Sequence, residues 1–76
     1  MTADHFGSIV ATLTSVTPFR LFTIELRGGR RYEVDHPIAL VLRDGFAYFL
    51  APGGVPVLFD HESVNQVIVA PANTDF

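Results

Sequence analysis

The chain reads as a mainly β domain: a short N-terminal α-helix followed by five antiparallel strands that curl into a small barrel. Three observations predict this. Apolar residues recur at helical spacing only in the first part of the chain, across residues 4–17. From residue 20 onward the pattern switches to alternation, interrupted by Gly-Gly, Asp-Gly and Pro-Gly-Gly turn signals. Finally, five strands within about 50 residues would leave sticky edges in an open sheet, so closure into a barrel is the expected solution.

In residues 4–17, Phe6, Ile9, Val10, Leu13 and Val16 fall on one stripe. Asp4 is placed to cap the start, and Pro18 forbids continuation. The β-branched content lowers intrinsic helix propensity, so packing must hold this helix. The first strand is expected over 20–27, where Phe22, Ile24 and Leu26 alternate with Thr23, Glu25 and Arg27. Gly28-Gly29 then supplies two residues able to take positive φ, which makes a β-hairpin. The second strand is expected over 30–42, disturbed by Pro37 as at an edge or a bend. Asp44-Gly45 marks another tight turn, followed by strands at 46–51, 55–60 and 65–70. The tail, 71–76, has no periodicity and is expected to fray. No repeat or linker divides the chain, so residues 1–76 form a single domain.

Composition bounds the function. A chain of 76 residues stands near the lower size limit for folding alone, and it has no cysteine to cross-link it. Yet 49% of its residues are hydrophobic, seven are phenylalanine, and the mean hydropathy is +0.35. One small core cannot hide all of that surface, so part of it is expected to be covered by another copy of the chain. The net charge of −3 argues against a broad electrostatic grip on nucleic acid. Arginine supplies every basic residue, and Arg27, Arg30 and Arg31 form a local patch at the hairpin tip. The N-terminus shows no basic region followed by an apolar run, and no apolar run is long enough to span a bilayer. A cytoplasmic protein is expected.

Candidate chemistry is sparse. Each histidine follows an aspartate, as Asp4-His5, Asp35-His36 and Asp60-His61. Successive strand residues point to opposite faces, so such a dipeptide is not expected to close on itself. The histidines are too far apart for a local zinc motif, and neither a metal nor a cofactor is expected. Ser63, beside His61 and Glu62, has no glycine-flanked elbow, so no catalytic residue is assigned and the chain is not expected to be an enzyme. Arg31 is expected to form a surface ion pair with Glu25 or Glu33. Phe46 and Tyr48 share one face of their strand while Phe49 takes the other, so part of this aromatic set belongs to the core.

These residues resemble a known family. The helix, "FTIELRGGRRYEV" and "FAYFL" are similar to the first Sm motif, and "LFDHESVNQVIVAP" resembles the second Sm motif of bacterial Sm-like RNA chaperones. The resemblance covers residues 6–71 and marks the chain as a divergent bacterial-type member of the Sm-like small β-barrel family. It implies a strongly bent five-stranded barrel, related to SH3-like barrels. It also implies assembly into homo-oligomeric rings, the fourth strand of one protomer pairing with the fifth of the next. Val57, Leu58, Phe59, Val67, Ile68 and Val69 would then form the oligomer interface. Single-stranded RNA would be the ligand, contacted by His61, Arg30 and Arg31.

The departures from the family pattern are specific. Asp60 stands where the family carries a basic residue, and it opposes phosphate. Glu33-Val34 replaces an expected glycine, and the segment before the third strand is longer and carries Pro37. The alternative expectation is therefore a barrel of the same type acting as a protein-interaction or structural module without nucleic acid.

Overall fold

The computed structural model describes residues 1–51 and 53–70. The expected fraying of 71–76, and Pro52 of the third turn signal, lie outside them. Helix α1 (Ala3–Ser15) is followed by β1 (Phe22–Leu26), β2 (Arg31–Val34), β3 (Leu40–Arg43), β4 (Phe46–Ala51) and β5 (Val55–Asp60). A 3₁₀ turn (His61–Ser63) then leads into β6 (Val64–Val69). The mainly β class with an N-terminal helix is as expected. The strand count differs, because the single second strand expected over 30–42 is two strands. Residues 35–39 form a corner closed by the Ala39 N–H donating to the His36 carbonyl at 3.1 Å. Pro37 lies inside that corner and has no N–H to offer a ladder.

The six strands form two antiparallel sheets, ordered β2-β1-β6 and β3-β4-β5. No ladder among the described residues joins them into a closed five-stranded barrel. Two turns set the hairpin registers. Gly28 and Gly29 both have positive φ, 93° and 94°, and the Leu26 N–H reaches the Arg30 carbonyl at 2.8 Å. Asp44 and Gly45, at φ 52° and 85°, place Arg43 opposite Phe46, as a two-residue turn with two left-handed positions requires.

The helix begins two residues earlier than Asp4 would place it. Thr2 is the cap, its Oγ1 accepting from the His5 N–H at 3.1 Å, and Asp4 sits in the first turn facing the helix dipole. Of the expected stripe, Phe6 and Val10 are buried and Leu13 packs against the core, while Val16 is exposed. Every strand adds to the same core: Phe22 and Ile24 from β1, Val34 from β2, Leu40 from β3, Ala47 and Phe49 from β4, Phe59 from β5, and Val64 from β6. Aromatic rings bridge the layers. Phe6 tilts against Phe59 at 6.2 Å, and Tyr32 stacks on Phe59 at 6.3 Å and meets Phe49 at 5.9 Å. Helix and both sheets therefore share one apolar interior, with no buried polar side chain among the described residues.

Candidate functional site

The corner between β5 and β6 is where the sequence concentrates its polar residues. Asp60 ends β5, and its Oδ1 accepts from the Glu62 N–H at 3.4 Å, starting the 3₁₀ turn. His61 is held from three sides. Its main-chain N–H donates to the Gly45 carbonyl at 2.9 Å, and its ring lies against the open side of that glycine. Its Nδ1 lies 2.8 Å from the Met1 carbonyl oxygen. A carbonyl only accepts, so Nδ1 carries the proton and donates. Nε2 then sits 3.5 Å from Asp60 Oδ1. The expectation that neighbouring Asp and His cannot approach each other fails at this pair. The alternation rule holds along a strand, but the chain leaves the strand at Asp60 and turns. The arrangement clasps the N-terminus to the β5–β6 corner. Ser63 takes part through its carbonyl, which accepts from the Arg27 N–H at 2.8 Å.

Arg31 is engaged by Glu25, the cross-strand partner that the hairpin register places opposite it. Its Nε and Nη2 both donate to Glu25 Oε2, at 3.2 and 3.1 Å. The other carboxylate oxygen, Oε1, accepts from Gln66 Nε2 at 2.6 Å and from Asn65 Nδ2 at 3.0 Å. Two successive residues of β6 reach one carboxylate because the β1–β6 register shifts between Glu25 and Leu26, leaving Asn65 as the extra residue of a bulge. These donors, Gln66 foremost and then Asn65 and Arg31, hold the Glu25 carboxyl below the usual carboxylate range. Arg30 donates to the Tyr32 hydroxyl at 3.4 Å, which raises the guanidinium pKa further and keeps it charged.

The expected RNA-contacting set is therefore distributed. His61 shares a cavity of about 510 Å³ with Arg27, Glu62 and the first residues of the chain, and neither Arg30 nor Arg31 lines it. Arg31 borders a separate cleft with Tyr32, Glu33 and Asp35. Met1 is the site residue that sequence reasoning missed, and Arg27, expected only as part of the basic patch at the hairpin tip, joins His61 here. Met1 carried no signal, since its contact with His61 spans 60 residues. Among the described residues no three His, Cys, Asp or Glu side chains cluster as metal ligands, and no helix is long and apolar enough to cross a membrane.

The expected oligomer interface falls on strands with open edges. Among the described residues β5 borders only β4, and β6 borders only β1. The His61 N–H bond to Gly45, and the Leu50 N–H bond to Ala39 at 3.4 Å, set the phase of β5. Val57 and Phe59 turn their main-chain groups to β4, so Pro56, Leu58 and Asp60 turn theirs to the open side. In β6 the Ala70 N–H bonds the Leu21 carbonyl at 3.1 Å, which leaves the main-chain groups of Val67 and Val69 facing outward. The side chains divide differently. Phe59 is buried in the core, Val57 and Val67 pack against it, and Leu58, Ile68 and Val69 are exposed. Phe59 thus has neither its side chain nor its main-chain groups free for an interface, because the one fills the core and the others pair with β4.

No protein family, curated protein or solved structure matches this chain. The geometry of the chain itself carries the functional argument.

Proposed function

We propose that this protein is a self-assembling module of the Sm-like or SH3-like barrel type. Copies join by main-chain pairing of β5 in one protomer with β6 in the next. The observation that carries this reading is that these two strands are both sheet edges whose outward groups have no partner among the described residues. Natural edges are usually blunted by charge or proline. β6, "VNQVIV", carries no charge, and the nitrogen of Pro56 in β5 lies on the open side, where it confines pairing to the Leu58–Asp60 end. Two sheets wrapped around one core, with the chain crossing between them at 35–39 and 61–63, support a bent, partly open barrel.

A second reading adds single-stranded RNA to the assembly. It is favoured by Arg27 and His61 lining one cavity, which a ring would repeat around its axis. It is opposed by Asp60 and Glu62 at the same corner and by the engagement of Arg31 with Glu25.

The test is the solution mass of wild type against Val69→Pro. The Val69 N–H faces the open edge, so proline there removes an edge donor and leaves the β1 ladder intact. The variant should stay folded by circular dichroism and lose assembled mass. An unchanged mass would overturn edge pairing. Titration with uridine-rich and adenine-rich oligomers at two salt concentrations decides the RNA reading, and no binding at low salt removes it.

A further inference from the structure

The sheet β3-β4-β5 covers the core with one face and exposes an apolar surface on the other. Its outward rows follow from the register. Val41, Tyr48 and Leu58 lie side by side, as do Arg43, Phe46 and Asp60, with Leu50 next along β4. Phe46 is 56% exposed, Tyr48 43% and Leu58 65%. With roughly 150–250 Å² available on each aromatic, the outward apolar side chains together present on the order of 450 Å². That is a patch of the size that marks an interaction site on a monomer of ordinary size, and this chain is small.

The charges on this face are arranged in a way that selects the occupant. Arg43 stands on β3 and Asp60 on β5, at the same level, with Phe46 between them. Arg43 forms no ion pair or side-chain hydrogen bond with any described residue, although Asp44 follows it in the turn. The Asp60 side chain remains 46% exposed despite its contacts to His61 and the Glu62 N–H. A half-turn about an axis parallel to β4 lays the β3 of one copy over the β5 of the other. The strand level is unchanged by that rotation. Arg43 of each copy then meets Asp60 of the other, Val41 meets Leu58, and Phe46 and Tyr48 meet their own counterparts. One long and one short charged side chain together span the roughly 10 Å between packed sheets.

We infer that this face binds a second copy of the same chain in a two-fold, sheet-on-sheet pair. Such a pair removes on the order of 1,000 Å² of surface, at the lower bound for a specific interface. The contact goes beyond the edge pairing proposed above and leaves the edges of β5 and β6 free, so the two modes are separable by experiment.

The measurement is solution mass by sedimentation from micromolar to millimolar concentration. Tyr48→Glu buries a charge at the centre and should weaken the pair on the order of a hundredfold, halving the assembled mass. Phe46→Ser, which makes a smaller change on the same face, repeats the test if Tyr48→Glu fails to fold. Arg43→Asp should weaken the pair about tenfold, because it faces the partner's acid, and adding Asp60→Arg should restore it. Restoration by the second reversal is the outcome specific to this geometry.

An assembled wild type whose mass is unmoved by Tyr48→Glu and Phe46→Ser overturns this proposal and leaves edge pairing standing. Loss of mass in the face variants but not in Val69→Pro supports the face and overturns the edge. A wild type that stays monomeric at millimolar concentration overturns both. If that monomer instead partitions onto phosphatidylcholine vesicles through Tyr48, the face belongs to a lipid surface and the proposal fails.

Discussion

Gly45→Ala is the substitution whose cost can be worked most fully from the structure. Gly45 has φ of 85°, and a Cβ placed there would lie 2.9 Å from Cδ2 of His61. The backbone conformation alone costs alanine about 1–2 kcal/mol. The ring cannot simply swing away, because Nδ1 is tied to the Met1 carbonyl at 2.8 Å and the His61 N–H to Gly45 itself at 2.9 Å. Moving it forfeits most of one hydrogen bond, about 1 kcal/mol. The expected loss is about 2–3 kcal/mol, out of the roughly 4–11 kcal/mol that a chain of this length holds. The assay is urea unfolding by circular dichroism at one protein concentration for wild type, Gly45→Ala, His61→Ala and the double variant. With His61 truncated the clash disappears, so Gly45→Ala should cost only its backbone part and the cycle should show about 1 kcal/mol of coupling. Additivity within about 0.3 kcal/mol would refute the reasoning, because it would mean that the ring does not pack on Gly45 in solution.

Phe6→Ala should cost about 3–5 kcal/mol and lower helical ellipticity, since Phe6 and Val10 are the buried residues of α1 and Phe6 meets Phe59. A loss below about 1 kcal/mol in urea unfolding would mean that the helix is not docked. The Glu25 carboxyl has a folded-state pKa below its unfolded one, so its contribution is present above the unfolded pKa of about 4.3 and is lost as pH falls through and below it. Thermal midpoints of wild type should therefore fall more steeply than those of Glu25→Gln between about pH 5 and pH 3, and parallel curves would contradict the network drawn around this carboxylate.

Much of the architecture was legible because it is written in a few adjacent residues. The alternation of Phe22 and Ile24 with Thr23 and Glu25 fixes which side of β1 is buried. The same alternation sends Ala47 and Phe49 inward and Phe46 and Tyr48 outward in β4. Gly28-Gly29 and Asp44-Gly45 are the residues that tolerate the left-handed turns they make. That Arg31 pairs with Glu25 or Glu33 was legible in the strand pattern, and the hairpin register selects Glu25.

Other features depended on where distant parts of the chain meet. Residues 30–42 read as one strand disturbed at Pro37, and the division of that segment between two sheets depends on a corner whose position only packing on both sides decides. Thr2 rather than Asp4 caps the helix because docking Phe6 sets where the first turn begins. Asn65 and Gln66 converge on Glu25 through a bulge that no pattern in β6 announces. His61 looked like a candidate ligand contact, and its ring is tied to Met1, at the far end of the chain. The physical reason is range. Turn chemistry and burial alternation act within a few residues, whereas a cap, a bulge or a clasp is chosen by which surfaces the folded chain brings into contact.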